Sequence, residues 1–147
     1  LGFKARFDQF RDKRLIAVNA GDLTSIDWTD SFGNKQVIQK IDGEWHYAGM
    51  EAVDSAKFNL YLSNLSGVSG SEFSELTSTS GLSLLEKLTV SGNNMINPAT
   101  ISAYTTSDTL SPFLIHSSEN PEALFKSDST GLYKRIFSDL RAFWPNG

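Results

Sequence analysis

The sequence predicts an α+β fold of two tandem βββα units, with antiparallel sheet and the helices packed on one face. Three observations carry this reading. Asp54, Phe58, Tyr61, Leu62 and Leu65 are matched at a single offset of 75 residues by Ser129, Tyr133, Ile136, Phe137 and Leu140, a helix N-cap and the four apolar positions behind it. Asp42-Gly43 separates two strand-like segments and readily adopts the positive φ angles of a type I′ hairpin. A chain of 147 residues also divides into two units too small to be stable unless they share surface.

Residues 1–15 read as a basic amphipathic arm, with Phe3, Phe7 and Phe10 at helical spacing among Lys4, Arg6, Arg11, Lys13 and Arg14. Five basic residues against two acidic ones make the first fourteen residues +3, leaving −7 for the rest of a chain whose net charge is −4. The first unit, residues 16–73, opens with a strand over 23–29, where Ile26 and Trp28 face one way and Asp27 the other. Strands over 35–41 and 44–48 follow. Asp54 then caps a helix, Val53 and Phe58 staple its first turn, and Gly67 ends it as a left-handed residue. Residues 68–73 read as a fourth strand.

Residues 74–83, rich in Ser, Thr and Gly, form the connection. In the second unit, residues 84–147, Ser83 and Glu86 at capping-box spacing predict a short helix through Leu88, and Gly92-Asn93-Asn94 turns the chain. Strands follow over 99–105, 111–117 and 122–126. Asn120-Pro121 is placed in a lengthened hairpin loop, and Ser129 caps the last helix. The register slips to 79 at Trp45/Leu124 and returns to 75, which costs little because loop closure depends weakly on length.

Apolar residues at 39% and charged residues at 20% describe a globular chain, and its acidic balance offers no general attraction to nucleic acid. Without cysteine there are no disulfides or thiolate metal sites. His46 and His116 are too few for a histidine-based metal centre, and His46 points away from Trp45 and Tyr47 along its strand. No nucleophile elbow or phosphate-binding glycine motif occurs. Glu44, Glu51, Glu72, Glu75, Glu119 and Glu122 mostly flank turns, where exposed charge is ordinary. The reading is therefore of no catalytic residue, no cofactor and no bound metal.

The aromatic residues Trp28, Trp45, Tyr47, Tyr104 and Trp144 are the better candidates for contact with a peptide, glycan or protein. Trp28 and Trp45 are expected in the core. Arg11, Lys13, Arg14 and Trp144 are the candidate partner contacts.

Arg11-Asp12-Lys13-Arg14, a polar turn and strand from Asn19 to Ile26, and Asp42-Gly43-Glu44-Trp45 before a helix resemble the bacterial domain-of-unknown-function family DUF4340. Leu84-Leu85-Glu86-Lys87 followed by Asn97-Pro98-Ala99-Thr100-Ile101 resembles that family's link into its second half. The chain departs from the pattern at Ile96, where Leu is usual, and in the loop 105–110, which lacks a Gly-Lys. The resemblance implies an extracytoplasmic portion of an envelope protein. Its membrane anchor, and an earlier repeat, would lie outside this chain, which begins with Leu rather than Met. It also implies a role auxiliary to an ABC-type transporter complex and carries over no catalytic residue.

The function expected from the sequence is a non-catalytic bacterial cell-envelope scaffold or protein-binding module. Its competitors are a secreted, inhibitor-like protein that binds peptides or proteins, and an enzyme acting on cell-wall glycan.

Overall fold

Alternating apolar residues build one continuous antiparallel sheet in the computed structural model, which describes residues 13–47, 52–70, 72–76 and 78–143. Its strands are β1 (Leu23–Asp30), β2 (Lys35–Ile41), β3 (Glu44–Tyr47), β4 (Ser83–Gly92), β5 (Ala99–Thr105), β6 (Phe113–Ser117) and β7 (Asn120–Ser127). They lie in the order β3-β2-β1-β4-β5-β6-β7. Register pairs Ile26 with Ile38 and Val90, Leu88 with Ile101, and Ile115 with Ala103 and Phe125, so one face is a continuous apolar surface. The expected hairpin turn forms, with φ of 51° at Asp42 and 83° at Gly43.

Two helices cover that face. The first, α1 (Ser55–Leu65), starts where expected: the Asp54 carboxylate accepts from the Lys57 amide at 3.2 Å, and Val53 and Phe58 are buried beside it. Trp45 anchors it to β3 through its indole N–H, which donates to Asn59 Oδ1 at 3.2 Å, and through its ring, 4.9 Å from that of Phe58. The second, α2, occupies residues 132–141. Its Lys134–Ser138 turn is π-helical, and Asp139–Arg141 returns to α geometry. All eight apolar positions paired by the 75-residue offset are buried, four on each helix. Among the described residues no helix is long and apolar enough to cross a membrane.

The link from α1 to β4 passes around the far edge of the sheet. Val68 and Gly70 bond to Leu15 and Lys13, and Leu15 and Ile16 plug the core there. Gly70 lies flat on the Phe125 ring, where any Cβ would collide. Residues 72–74 then pair with β7: the Ser74 amide donates to Leu124 O at 2.7 Å and the Lys126 amide to Glu72 O at 2.9 Å. The chain returns across the opposite face, where Ser78 and Thr79 share a small cavity with His116 and Leu124, and enters the sheet as its middle strand.

Several expectations are corrected. The predicted helix through Leu88 is the extended strand β4. Glu86, Leu88 and Val90 alternate onto the apolar face, and the pairing β4 offers to both β1 and β5 outweighs a short helix. Among the described residues of the segment read as a strand over 68–73, Ser69 and Phe73 form isolated bridges and no strand forms. Pro121 lies inside β7, near its start at the sheet's edge, and the β6–β7 turn is only Ser118-Glu119. Ser129 does not cap α2; the Ser127 hydroxyl accepts from the Tyr133 amide at 2.9 Å. Gly67 is not left-handed. Of the arm read over residues 1–15, residues 1–12 with Phe3, Phe7 and Phe10 lie outside those described, while residues 13–15 are not helical and Arg14 bridges to Ser69.

The two βββα units read from the sequence differ in handedness and do not superpose. Each half supplies a three-stranded meander and then a helix. β1 and β5 point the same way on either side of β4, so viewed from the helices one meander advances to the left and the other to the right. A rotation that overlays the strands would put the second helix on the wrong face. One matched pair does meet across the helices, where the Tyr61 hydroxyl donates to Ile136 O at 2.6 Å.

Leu62→Ala and Phe137→Ala, at fully buried sites, should each cost about 2–5 kcal/mol in urea unfolding. Gly70→Ala should cost about 1–3 kcal/mol through collision with Phe125. Gly67→Ala, where nothing stands within 4 Å, should be close to neutral.

Candidate functional site

Two features meet on α2, one buried and one open. The buried one centres on Glu86, which β4 points into the apolar face with only 3% of its surface exposed. An ionised carboxylate there requires partners, because desolvation of a lone charge is prohibitive. The Trp28 indole N–H donates to Oε1 at 2.8 Å, Arg141 Nη1 donates to the same oxygen at 2.6 Å, and the Tyr133 hydroxyl donates to Oε2. Arg141 Nη2 also reaches the Tyr133 oxygen at 3.2 Å and Ser138 Oγ at 3.4 Å.

The phenol is pushed up to about 12 by burial and then by its bond to Glu86. For Arg141, burial acts downward, but the Tyr133 bond and the Glu86 charge outweigh it and raise the guanidinium above its ordinary value. Phe113 closes the cluster by stacking on Tyr133 at 3.9 Å between centroids. Both carboxylate oxygens are thus occupied, and the arrangement clamps α2 to β1 and β4.

The open feature is a groove of about 430 Å³ between α1 and α2, within the size range of ligand sites. Lys57, Leu60, Tyr61 and Asn64 line one wall and Arg135, Asp139, Ala142 and Phe143 the other, with Tyr47 and Asp54 completing it. Phe143 packs on Phe58 and Tyr61, while Tyr61 also reaches Ile136, so contacts run in opposite senses along the two helices. The π turn shapes the second wall. The Asp139 amide reaches back five residues to Lys134 O, and the Tyr61 hydroxyl bonds the carbonyl inside the turn. Burial, followed by the Asp139 and Glu86 charges, drives the Tyr61 phenol far above its ordinary range, so it stays a donor.

The groove's charges divide into committed and uncommitted groups. Asp54 caps α1 and Asp139 is bonded by Lys134 Nζ at 2.8 Å. Lys57 and Arg135 form no ion pair with any described residue. Leu60, 64% exposed, stands between them on the α1 wall.

The residues singled out from the sequence lie elsewhere. Arg11 and Trp144 fall outside the described residues. Lys13 sits 5.9 Å above the Phe73 ring, and Arg14 bridges to Ser69 while its carbonyl accepts from Asn120 Nδ2 at 3.1 Å. Trp28 and Trp45 are in the core, and Tyr47 reaches the groove. His46 is 3.9 Å from Glu44, and His116 Nε2 donates to Pro121 O at 3.0 Å. Among the described residues no three His, Asp or Glu side chains converge on one point.

Sequence reasoning missed Glu86, Tyr133 and Arg141 as a unit, because Glu86 was assigned to a cap. The signal was its place two residues before Leu88 and four before Val90. The groove too was written in spacing, 57/60/61/64 and 135/139/142/143, each a continuous helical face.

Glu86→Ala leaves the buried Trp28 and Tyr133 donors and the part-buried Arg141 without their shared acceptor and should cost about 3–5 kcal/mol in urea unfolding, with Glu86→Gln milder. Because the fold holds the Tyr133 phenol protonated, its contribution is intact below about pH 10, the ordinary phenol value, and lost as pH rises toward about 12. Alkaline unfolding followed by phenolate absorbance should therefore be less steep over that interval in Tyr133→Phe.

Comparison of the chain with protein-family models, curated proteins and solved structures found no match.

Proposed function

We propose that this chain is a non-catalytic module of the bacterial cell envelope, exposed outside the cytoplasm, that serves as a scaffold or protein-binding partner auxiliary to an ABC-type transporter complex. The observation that carries the binding role is the open groove between the helices, with an apolar wall residue left exposed and two cations left unpaired among the described residues. A concave groove of this volume, lined by apolar and a few polar side chains, is the ordinary geometry of a binding site. The envelope setting and the transporter rest on the resemblance to DUF4340. The most elaborate polar constellation, around Glu86, is spent internally, which favours a scaffold over a glycan-acting enzyme.

The reading is tested by photo-crosslinking in the native bacterium, with the reactive side chain placed at Leu60 in the groove or at Gln39 on the exposed opposite face. An adduct with an envelope protein is expected from Leu60, with transporter components among the products. Absence of any envelope-protein adduct from both positions would overturn the module reading.

A further inference from the structure

We propose that the groove between α1 and α2 receives an amphipathic helix of a partner protein, its apolar stripe about two turns long and acidic residues at both ends. This rests on the protein-binding reading above and specifies the partner. The walls favour a helix over an extended segment. Positions 57, 60, 61 and 64 on α1, and 135 and 139 on α2 with 142 and 143 in the turn that ends it, have the spacing by which one helix meets another. A strand would need unpaired backbone groups to join, whereas helix interiors have theirs satisfied by their own turns.

The charges select the sign. Lys57 lies toward the start of α1, near the level of Phe143, and Arg135 lies one residue before Ile136, on the opposite wall and further along. The two carboxylates of the groove are already held, by the helix cap and by Lys134. A chain with net charge −4 repels acidic partners in general, so this pair of cations, in no ion pair among the described residues, is a local exception to its field. Lys57 and Asn64 are seven residues apart on α1, about 10 Å at 1.5 Å per residue, which sets the length of stripe to be matched.

The test uses the full chain and two fluorescent peptides of about 15 residues, stapled so that the helix is preformed. Both carry leucines at i, i+3, i+4 and i+7; one has glutamates at the two ends of the stripe and the other lysines. Fluorescence anisotropy should show the glutamate peptide binding roughly tenfold tighter at low salt, with the preference shrinking as salt is added. Leu60→Asp should abolish binding of both, and the double variant Lys57→Glu with Arg135→Glu should reverse the preference. All three side chains are exposed, and unchanged urea midpoints verify the fold of each variant.

Equal affinity for the two peptides, no binding of either, or no reversal in the double variant would overturn the proposal. So would gains in affinity for both peptides on deleting residues 144–147, which would make the chain's own end the occupant. Self-association abolished by Leu60→Asp would assign a second copy instead. Crosslinks to an envelope protein from Gln39 alone would sink this proposal while leaving the module reading intact.

Discussion

A carboxylate in the middle strand of the sheet, Glu86, is the constraint on which the remaining architecture depends. Burial forbids it from standing ionised and alone, so Trp28 on β1 and Tyr133 and Arg141 on α2 must all arrive at one place. Those partners fix the register of β4 against β1 and the position of α2 over the sheet. A slip of one residue would turn Glu86 to the opposite face and Lys87 inward. Replacing the cluster with apolar side chains of similar volume could leave stability unchanged, so its value lies in selecting one arrangement among several hydrophobic ones.

The groove is a by-product of that selection. Tyr133, Phe137 and Arg141 follow the inner side of α2, and the π turn between them lets Arg135 and Asp139 face α1. Tyr61 spans the two helices from below and bonds a carbonyl within that turn. One tyrosine therefore closes the core and forms part of the groove's floor, and the same helix carries both the internal clamp and the outer wall.

Where local chemistry decided, the sequence was legible. Asp54 with Val53 and Phe58, Asp42-Gly43, and the eight buried helix positions each carry their signal within a few residues. Illegible were the choices made by distant partners. Leu84 to Leu88 suits a helix as well as a strand until β1 and β5 flank it. Ser127 outcompetes Ser129 as a cap because β7 runs one residue further at its end, to Ser127, than its pattern suggests. The opposite sense of the two meanders leaves no trace in an offset, since a matched row of apolar residues carries no handedness. For the site, the spacing of both walls could be read, whereas the pairing of one helix with the other could not.

The detour that the described residues between α1 and β4 make around the sheet has a consequence for assembly. With 72–74 seated on β7, one border of the sheet is already sealed by the chain itself. The other border is β3, four residues long and bridged to Ala52 at His46. Short or covered borders are how β-proteins resist templated growth into larger sheets. This molecule is thus guarded against edge-to-edge polymerisation on both sides, a useful property where an open β-edge would invite any extended segment that drifts by.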